Sequence, residues 1–329
     1  MEIDSTILVL LAHYNGEEHI AEQLESLTKQ ENVKVSVLVS DDHSTAKSKS
    51  HLRKCGARFG EDKVKLASNT RKLRGHIHNF ANLCDLARGL HYQYFAFSDQ
   101  DDVWLPNKLS TLLTRMMELE NMYGKSTPIL VHCDLKVVDS QLNEVSPSFV
   151  SYQGLPDPAN HDYPKFFYQN VVTGCATLFN RALLDIAAPI PDTAVVHDWW
   201  FAQCAKMTGV VDYVNHPLVL YRQHTNNSIG AKDYKVYRSY FKKYIYRALF
   251  DFPNHLSKSI EQAGALRKRL LCTTDSKSFE NQALLTEFSQ LKSLPLLERI
   301  KWAQIAIDSR GWMENLYFKF AFFIVRWIS

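Results

Sequence analysis

An α/β fold, a doubly wound sheet followed by a C-terminal helical region, is what these 329 residues predict, and three observations predict it. Short apolar runs alternate with helix-periodic segments through the first two thirds of the chain. The clearest runs stop abruptly at polar clusters, as strands do where a parallel sheet opens onto a ligand crevice. After residue 231 the strand signals cease, and the chain turns helical and basic. Over 232–329, 17 Lys and Arg stand against 9 Asp and Glu, a net +8, whereas 1–231 holds 21 against 26, a net −5. We therefore expect a ligand-binding domain over 1–231 and a basic, aromatic-rich helical region over 232–329, with different partners.

The first strand is Thr6 to Ala12, a continuous apolar run suited to burial on both faces of a sheet, and it breaks at His13-Tyr14-Asn15-Gly16. A helix over Glu17 to Lys29 follows, with Ile20, Leu24 and Leu27 at helical spacing. Val33 to Val39 is a second strand, ending in Ser40-Asp41-Asp42-His43-Ser44 before a helix rich in Lys and Arg. Val64 to Ala67 is a third, and His78 to Leu90 a helix leading into the strand Tyr94 to Ser98. There the chain runs into Asp99-Gln100-Asp101-Asp102 ahead of a helix opened by Pro106. Three carboxylates within four positions call for a neutralising cation, and Asp99 and Asp101 are both within reach of one divalent ion; a solvated turn capping the next helix is the plainer alternative.

Further on, Pro128 to Asp134 is another strand with a polar tip, and Val137-Val138-Asp139 an edge hairpin. Val145 to Pro164, with four prolines, reads as a mobile loop that closes over substrate. Asn170 to Phe179 is a strand with Gly174 at its entrance, and His197-Asp198-Trp199-Trp200-Phe201 opens a helix. Leu218 to His224 is a final strand delivering Arg222 and His224 to a Gly-bounded loop. No G-x-G-x-x-G and no G-x-x-x-x-G-K-[ST] occurs, so a nucleotide bound here is held by carboxylates and a metal.

Composition narrows the setting. The six cysteines, Cys55, Cys84, Cys133, Cys175, Cys204 and Cys272, form no C-x-x-C pair, which fits a reducing compartment and argues against zinc. The acidic start Met1-Glu2-Ile3-Asp4 is unlike a signal peptide, and no apolar run is long enough to span a membrane, so a cytoplasmic location is expected.

The ordered set Ala12 to Gly16, Ser40 to Ser44, Ser98 to Trp104, Thr173-Gly174-Cys175, His197 to Trp200 and Tyr221 to Gly230 resembles the inverting family 2 glycosyltransferases, in their rhamnosyltransferase-like branch. The resemblance spans roughly residues 5–230 and implies a GT-A-like doubly wound mixed sheet. It implies that Ala12, Tyr14, Asp41 and Asp99 contact the nucleotide, that Asp101 and His224 ligate Mn²⁺ or Mg²⁺, and that Asp198 is the general base. It places Asp134, Gly174, Trp199 and Arg222 on the acceptor or phosphate side. Taken singly, Tyr14 also reads as a packed turn aromatic, Asp41 as a helix cap and Asp134 as a turn carboxylate. In the place of the family's Gly and basic residue ahead of the acidic strand stands Gly75-His76-Ile77-His78-Asn79, with Arg71, Lys72 and Arg74 nearby, which leaves the phosphate-contacting residue open.

The implied activity is transfer of L-rhamnose from dTDP-L-rhamnose to a lipid-linked saccharide in bacterial surface polysaccharide synthesis, with a UDP-sugar donor or a non-catalytic sugar-binding scaffold as alternatives. The aromatic-basic run Tyr237 to Arg247 and the apolar segment Leu316 to Ile328, with Lys319, Arg326, Trp312 and Trp327, suit peripheral attachment to the inner membrane face. Packing onto the α/β domain or a homodimer partner suits them as well. No RNA-binding motif is present, and nucleic acid is not an expected partner.

Overall fold

The computed structural model describes residues 6–161, 163–224, 251–271, 279–305 and 312–327. The expected boundary at 231–232, the loop 226–230 and the run 237–247 lie outside the described residues, as do the side chains of Trp312 and Trp327.

Strands β1 (Ile7–His13), β2 (Val35–Asp41), β3 (Val64–Ser68) and β4 (Tyr94–Ser98) form a parallel half-sheet in the order β3-β2-β1-β4. Three helices connect them: α1 (Ile20–Thr28), α2 (Ala46–Ala57) and α3 (His76–Arg88). Beyond β4 the sheet becomes mixed. A two-residue β5 (Val103–Trp104) and helix α4 (Lys108–Tyr123) lead to β6 (Ile129–Val138), against which β7 (Glu144–Ser146) turns back. Strand β8 (Thr177–Asn180) runs antiparallel between β4 and β6, helices α6 (Arg181–Ala187) and α7 (His197–Thr208) follow it, and β9 (Val210–Arg222) pairs parallel with β6 and antiparallel with β5.

Alternation along β1 explains its unbroken hydrophobicity. Leu8 and Leu10 enter the core on one face of the sheet, Ile7, Val9 and Leu11 the core on the other, and all five are buried. Because β1, β2 and β4 run in one direction, their carboxyl ends, His13, Asp41 and Ser98, open onto one crevice. Strand order reverses there, β2 lying to one side of β1 and β4 to the other, which is where open α/β sheets bind ligands.

The helices after the sheet, α8 (Phe252–Leu271), α9 (Phe279–Ser289), α10 (Leu296–Ile305) and α11 (Trp312–Ile324), complete the core on the Leu8/Leu10 face. On α8, Leu256, Ile260, Ala263, Leu266 and Leu270 are buried at helical spacing, and Phe288, Trp302, Ala321 and Phe322 continue the same cluster. Phe288 stacks on Phe167 with centroids 5.0 Å apart. Among the described residues, no helix is long and apolar enough to cross a membrane.

One expectation is corrected outright. The stretch Val145 to Pro164 is not an open loop: it contains the end of β7, helix α5 (Phe149–Gln153) and a 3₁₀ turn over Pro158–Asn160, with Phe149 and Pro158 buried. The cause is local capping. Asp134 Oδ1 accepts from the backbone N–H groups of Phe149 and Val150, and Ser148 Oγ from that of Ser151.

Candidate active site

The crevice is a cavity of about 850 Å³, bordered by the ends of β1 and β2, the acidic loop after β4, the Gly174 turn, the start of α7 (His197–Thr208) and, from α8, His255. At its β1 end Tyr14 lies at the mouth, 58% exposed. Its backbone is tied to the acidic loop by two bonds with Gln100: Tyr14 N–H donates to Oε1 at 2.8 Å, and Gln100 Nε2 donates to Tyr14 O at 3.0 Å. Ala12 lines the cavity, whereas Asp41 is turned away from it. The buried Asp41 carboxylate pairs with His13 Nδ1 at 2.9 Å and accepts from Ser44 N–H. Its neighbour Asp42 does line the cavity, accepting from Asn69 Nδ2 at 2.8 Å and from Gly75 N–H at 2.7 Å. Gly75 has φ +100, a backbone conformation that favours glycine, and so starts α3 where Asp42 can hold it. Of the three nearby cations flagged in the sequence, Arg74 reaches the cavity, while Arg71 is drawn off to Asp85 and Asp192.

The acidic loop gathers the expected ligands. Asp101 Oδ2 lies 2.9 Å from His224 Nε2. Asp99 Oδ1 lies 3.4 Å from His76 Nε2. Burial and the charge of Asp99 push the Asp101 carboxyl up despite His224; the fully buried Asp102 is pushed up much further, by burial first and then by both neighbouring aspartates. Asp102 Oδ2 faces only the weak thiol donor of Cys175, and one ligand atom each from Asp99, Asp102 and Cys175 lie within 4.8 Å of one another. Among the described residues that group leaves out Asp101 and His224, which pair with each other; the carboxylates, unfavourable while uncompensated, and the imidazole are donor types that suit a hard divalent cation. Cys175 does not suit it, because burial raises its thiol well above the usual range.

Asp198 occupies the first turn of α7. Its Oδ2 accepts from Gly174 N–H at 2.9 Å; its Oδ1 accepts from Asn170 Nδ2 at 3.0 Å and from Trp199 N–H at 2.6 Å. Burial pushes this carboxyl up to about 6, against the charge of His76 and these bonds. Gly174 is required by closeness: a Cβ there would sit 2.5 Å from His197 Nε2 and 3.4 Å from Asp198 Oδ2. Of the two tryptophans that follow Asp198, Trp199 lines the cavity, with its Nε1 anchored to Phe166 O at 2.7 Å. Trp200 instead turns into the core and donates to Ala187 O.

Two of the positions expected on the acceptor or phosphate side also lie elsewhere. Asp134 points into its own chain and caps α5, and it does not border the cavity. Arg222, 3% exposed, does not face the cavity; it donates to Asp101 O at 2.8 Å and Ser140 O at 2.7 Å and pairs with Glu22. It braces the acidic loop from behind.

The structure also gives places to two residues outside the expected site set, His76, which the sequence flags only by its place after Gly75, and Lys108, which it does not flag. His76 lies between the acidic loop and α7, its ring 5.0 Å from that of His197. Burial alone would lower it, but the hydrogen bond and charge of Asp99, with the charges of Asp198 and Asp101, hold it above the usual histidine range. Its signal was its place after Gly75. Lys108 is fully buried; its Nζ donates to Cys175 O at 2.6 Å and sits 3.0 Å from the Trp104 ring centroid, and burial pushes it down to about 8. It ties α4 to the Gly174–Ala176 turn.

Residues 8–184 match the family described as Glycosyl transferase family 2. The chain is 26% identical to the dTDP-rhamnosyl transferase RfbG of Shigella flexneri over 231 residues, 67% of this chain and 74% of that protein. It is 27% identical over 123 residues, 37% of this chain and 46% of the relative, to the UDP-Glc:alpha-D-GlcNAc-diphosphoundecaprenol beta-1,3-glucosyltransferase WfgD of Escherichia coli. Among solved structures, S. aureus TarS 1–349 in complex with UDP superposes with a TM-score of 0.54 at 15% identity, covering 98% of this chain and 90% of that one. The mannosyltransferase PcManGT of Pyrobaculum calidifontis, in complex with GDP-Man and Mn²⁺, gives 0.53 at 17% identity, covering 98% and 86%. Both likenesses extend through the C-terminal helices.

Proposed function

The chain belongs to glycosyl transferase family 2, enzymes acting on nucleotide sugars, and on that premise we propose an inverting transferase in which Asp198 is the general base. The observation that carries this reading is the carboxyl pushed up to about 6 at the start of α7, in the same cavity as Asp99 and Asp101. Inversion requires an acceptor hydroxyl to attack the anomeric carbon from the face opposite the departing diphosphate. A carboxylate fixed by Gly174 N–H and Asn170 is placed to take that proton, and its raised basicity suits the task.

Asp101 and His224, with Asp99 beside them, would hold Mn²⁺ or Mg²⁺, which when bound supplies positive charge to a diphosphate leaving group. Arg74 would add a cation on the phosphate side. Tyr14 would cover a face of the base, with Ala12 beneath it. Asp41 would serve through its hold on His13 and Ser44, leaving Asp42 as the carboxylate nearer the nucleotide.

The relation to RfbG over two thirds of the chain supports dTDP-L-rhamnose as donor. The shorter relation to WfgD supports the alternative, a UDP-sugar. A lipid-linked saccharide is the acceptor we favour, approached from the inner membrane face. In support, α10 and α11 carry the exposed residues Leu297, Ile305, Leu316 and Phe320, with exposed Lys301 on α10 and Arg326 in the turn after α11. The test is incubation with dTDP-L-rhamnose and UDP-hexoses in Mg²⁺ or Mn²⁺, followed by NMR of the product anomer. Transfer from one donor with inverted configuration is expected; retained configuration would overturn the role of Asp198.

A further inference from the structure

Apart from Trp199, the residues of the cavity wall beyond Asp198 have no role in the reading above, although a hydroxyl-bearing acceptor has to reach Asp198 along some wall. Of the residues that line it, Phe149 and Gln153 come from α5, Leu155 follows that helix, Tyr221 comes from β9, and His255 comes from the first turn of α8. His255 stacks nearly parallel on Trp199, with ring centroids 5.2 Å apart and planes at 11°. Trp199 adjoins Asp198 in sequence, so this stacked pair lies beside the proposed base.

The pair is held rigidly. His255 Nε2–H donates to Tyr168 O at 3.0 Å, and Trp199 Nε1–H donates to Phe166 O at 2.7 Å, so one short segment anchors both rings. One residue along α8, Leu256 is fully buried in the core shared with the sheet, which fixes where His255 stands. On a second part of the wall the rings of Phe149 and Tyr221 meet edge to face at 5.3 Å. Flat, preformed rings with a few polar edges match a pyranose, which presents C–H faces and a rim of hydroxyls.

We propose that His255 on Trp199, with Phe149, Gln153, Leu155 and Tyr221, forms a pyranoside-binding acceptor subsite, so that the C-terminal helices are part of the active site. This rests on the transferase reading and adds which residues hold the acceptor's sugar ring next to Asp198, His255 of α8 among them. It also gives α8 a role apart from any membrane contact of α10 and α11.

The test uses the full chain with p-nitrophenyl glycosides of glucose, N-acetylglucosamine and rhamnose as probes, titrated by saturation-transfer NMR with Mg²⁺ and either dTDP or UDP. The nucleotide's own affinity is measured by calorimetry. At least one glycoside binds the wild type; His255→Ala weakens it 10-fold or more, and His255→Phe, which keeps a flat ring, stays within 3-fold. Nucleotide affinity shifts less than 2-fold in both variants. Equal glycoside affinity in His255→Ala overturns the proposal, as does parallel loss of glycoside and nucleotide binding in both variants, which marks a role in folding. A wild type that binds nucleotide but no glycoside overturns it and leaves the transferase reading standing. A wild type that binds neither brings down both.

Discussion

Replacing Asp198 by Asn separates chemistry from stability. In the proposed role of general base, Asp198 would contribute about 10²- to 10⁴-fold to turnover, so D198N is expected to lose activity by that factor while the cavity stays formed. Stability responds in the opposite sense and depends on pH. A carboxyl raised from the ordinary 3.8 to about 6 binds its proton more tightly in the folded chain than in the unfolded one. Wild-type stability from this group is therefore fully present below pH 3.8 and is lost as pH rises through about 6. A shift of about two units corresponds to about 3 kcal/mol, an upper bound here because Asp198 keeps partial access to water through the cavity. Asn has no such loss. Its own penalty, an amide opposing Gly174 N–H or Asn170 Nδ2, costs about 1–3 kcal/mol and is the same at every pH. Urea denaturation of both proteins from pH 3.5 to 7.5 isolates the variable part: stability of D198N minus that of wild type grows by up to about 3 kcal/mol between pH 4 and 6, then levels. A difference that stays flat over this range refutes the desolvated-base argument.

Gly174→Ala places a methyl group against His197 Nε2 and near Asp198 Oδ2, so it displaces the proposed base; steady-state kinetics should show turnover lowered about 100-fold, consistent with loss of general-base alignment. Asp134→Ala leaves the N–H groups of Leu135, Phe149 and Val150 without their carboxylate and lowers unfolding free energy by about 1–3 kcal/mol, read from urea midpoints. Lys108, whose ammonium is depressed from 10.5 to about 8, binds its proton less tightly when folded, so wild-type stability rises from pH 8 to 10.5. Measured against Lys108→Met across that range, the gain reaches about 3 kcal/mol, and a flat comparison would show that Lys108 is not desolvated.

The half-sheet was legible because its strands are buried on both faces: a parallel strand writes itself as an apolar run, and its carboxyl end as the first polar residue after it. That pattern marks Asp99 and Asp101, whereas Asp198, in the first turn of a helix, is marked only by the family resemblance; the structure brings all three to one cavity. The direction in which a carboxylate turns at a strand end is not written locally. Asp134 carries the same sequence signature as Asp99, yet it turns back to cap α5, a helix 15 residues further on. Arg222 likewise follows an apolar strand, but it answers to Glu22, 200 residues away, which no local pattern connects to it. Asp41 and Asp42 are adjacent, and only the position of Gly75 decides which of them borders the cavity. His255 is silent in sequence. It belongs to a helix whose apolar stripe signals packing, and its approach to Trp199 depends on how that helix docks.

The most direct test of the account is release of nucleoside diphosphate from a panel of nucleotide-sugars, dTDP-L-rhamnose among them, by wild type and D101N with Mn²⁺ or Mg²⁺ and with chelator. The account predicts release from one donor, abolished by chelator and lowered at least 100-fold in D101N, since Asp101 borders the cavity and pairs with His224. Undiminished release by D101N, or release that chelator does not touch, would contradict it.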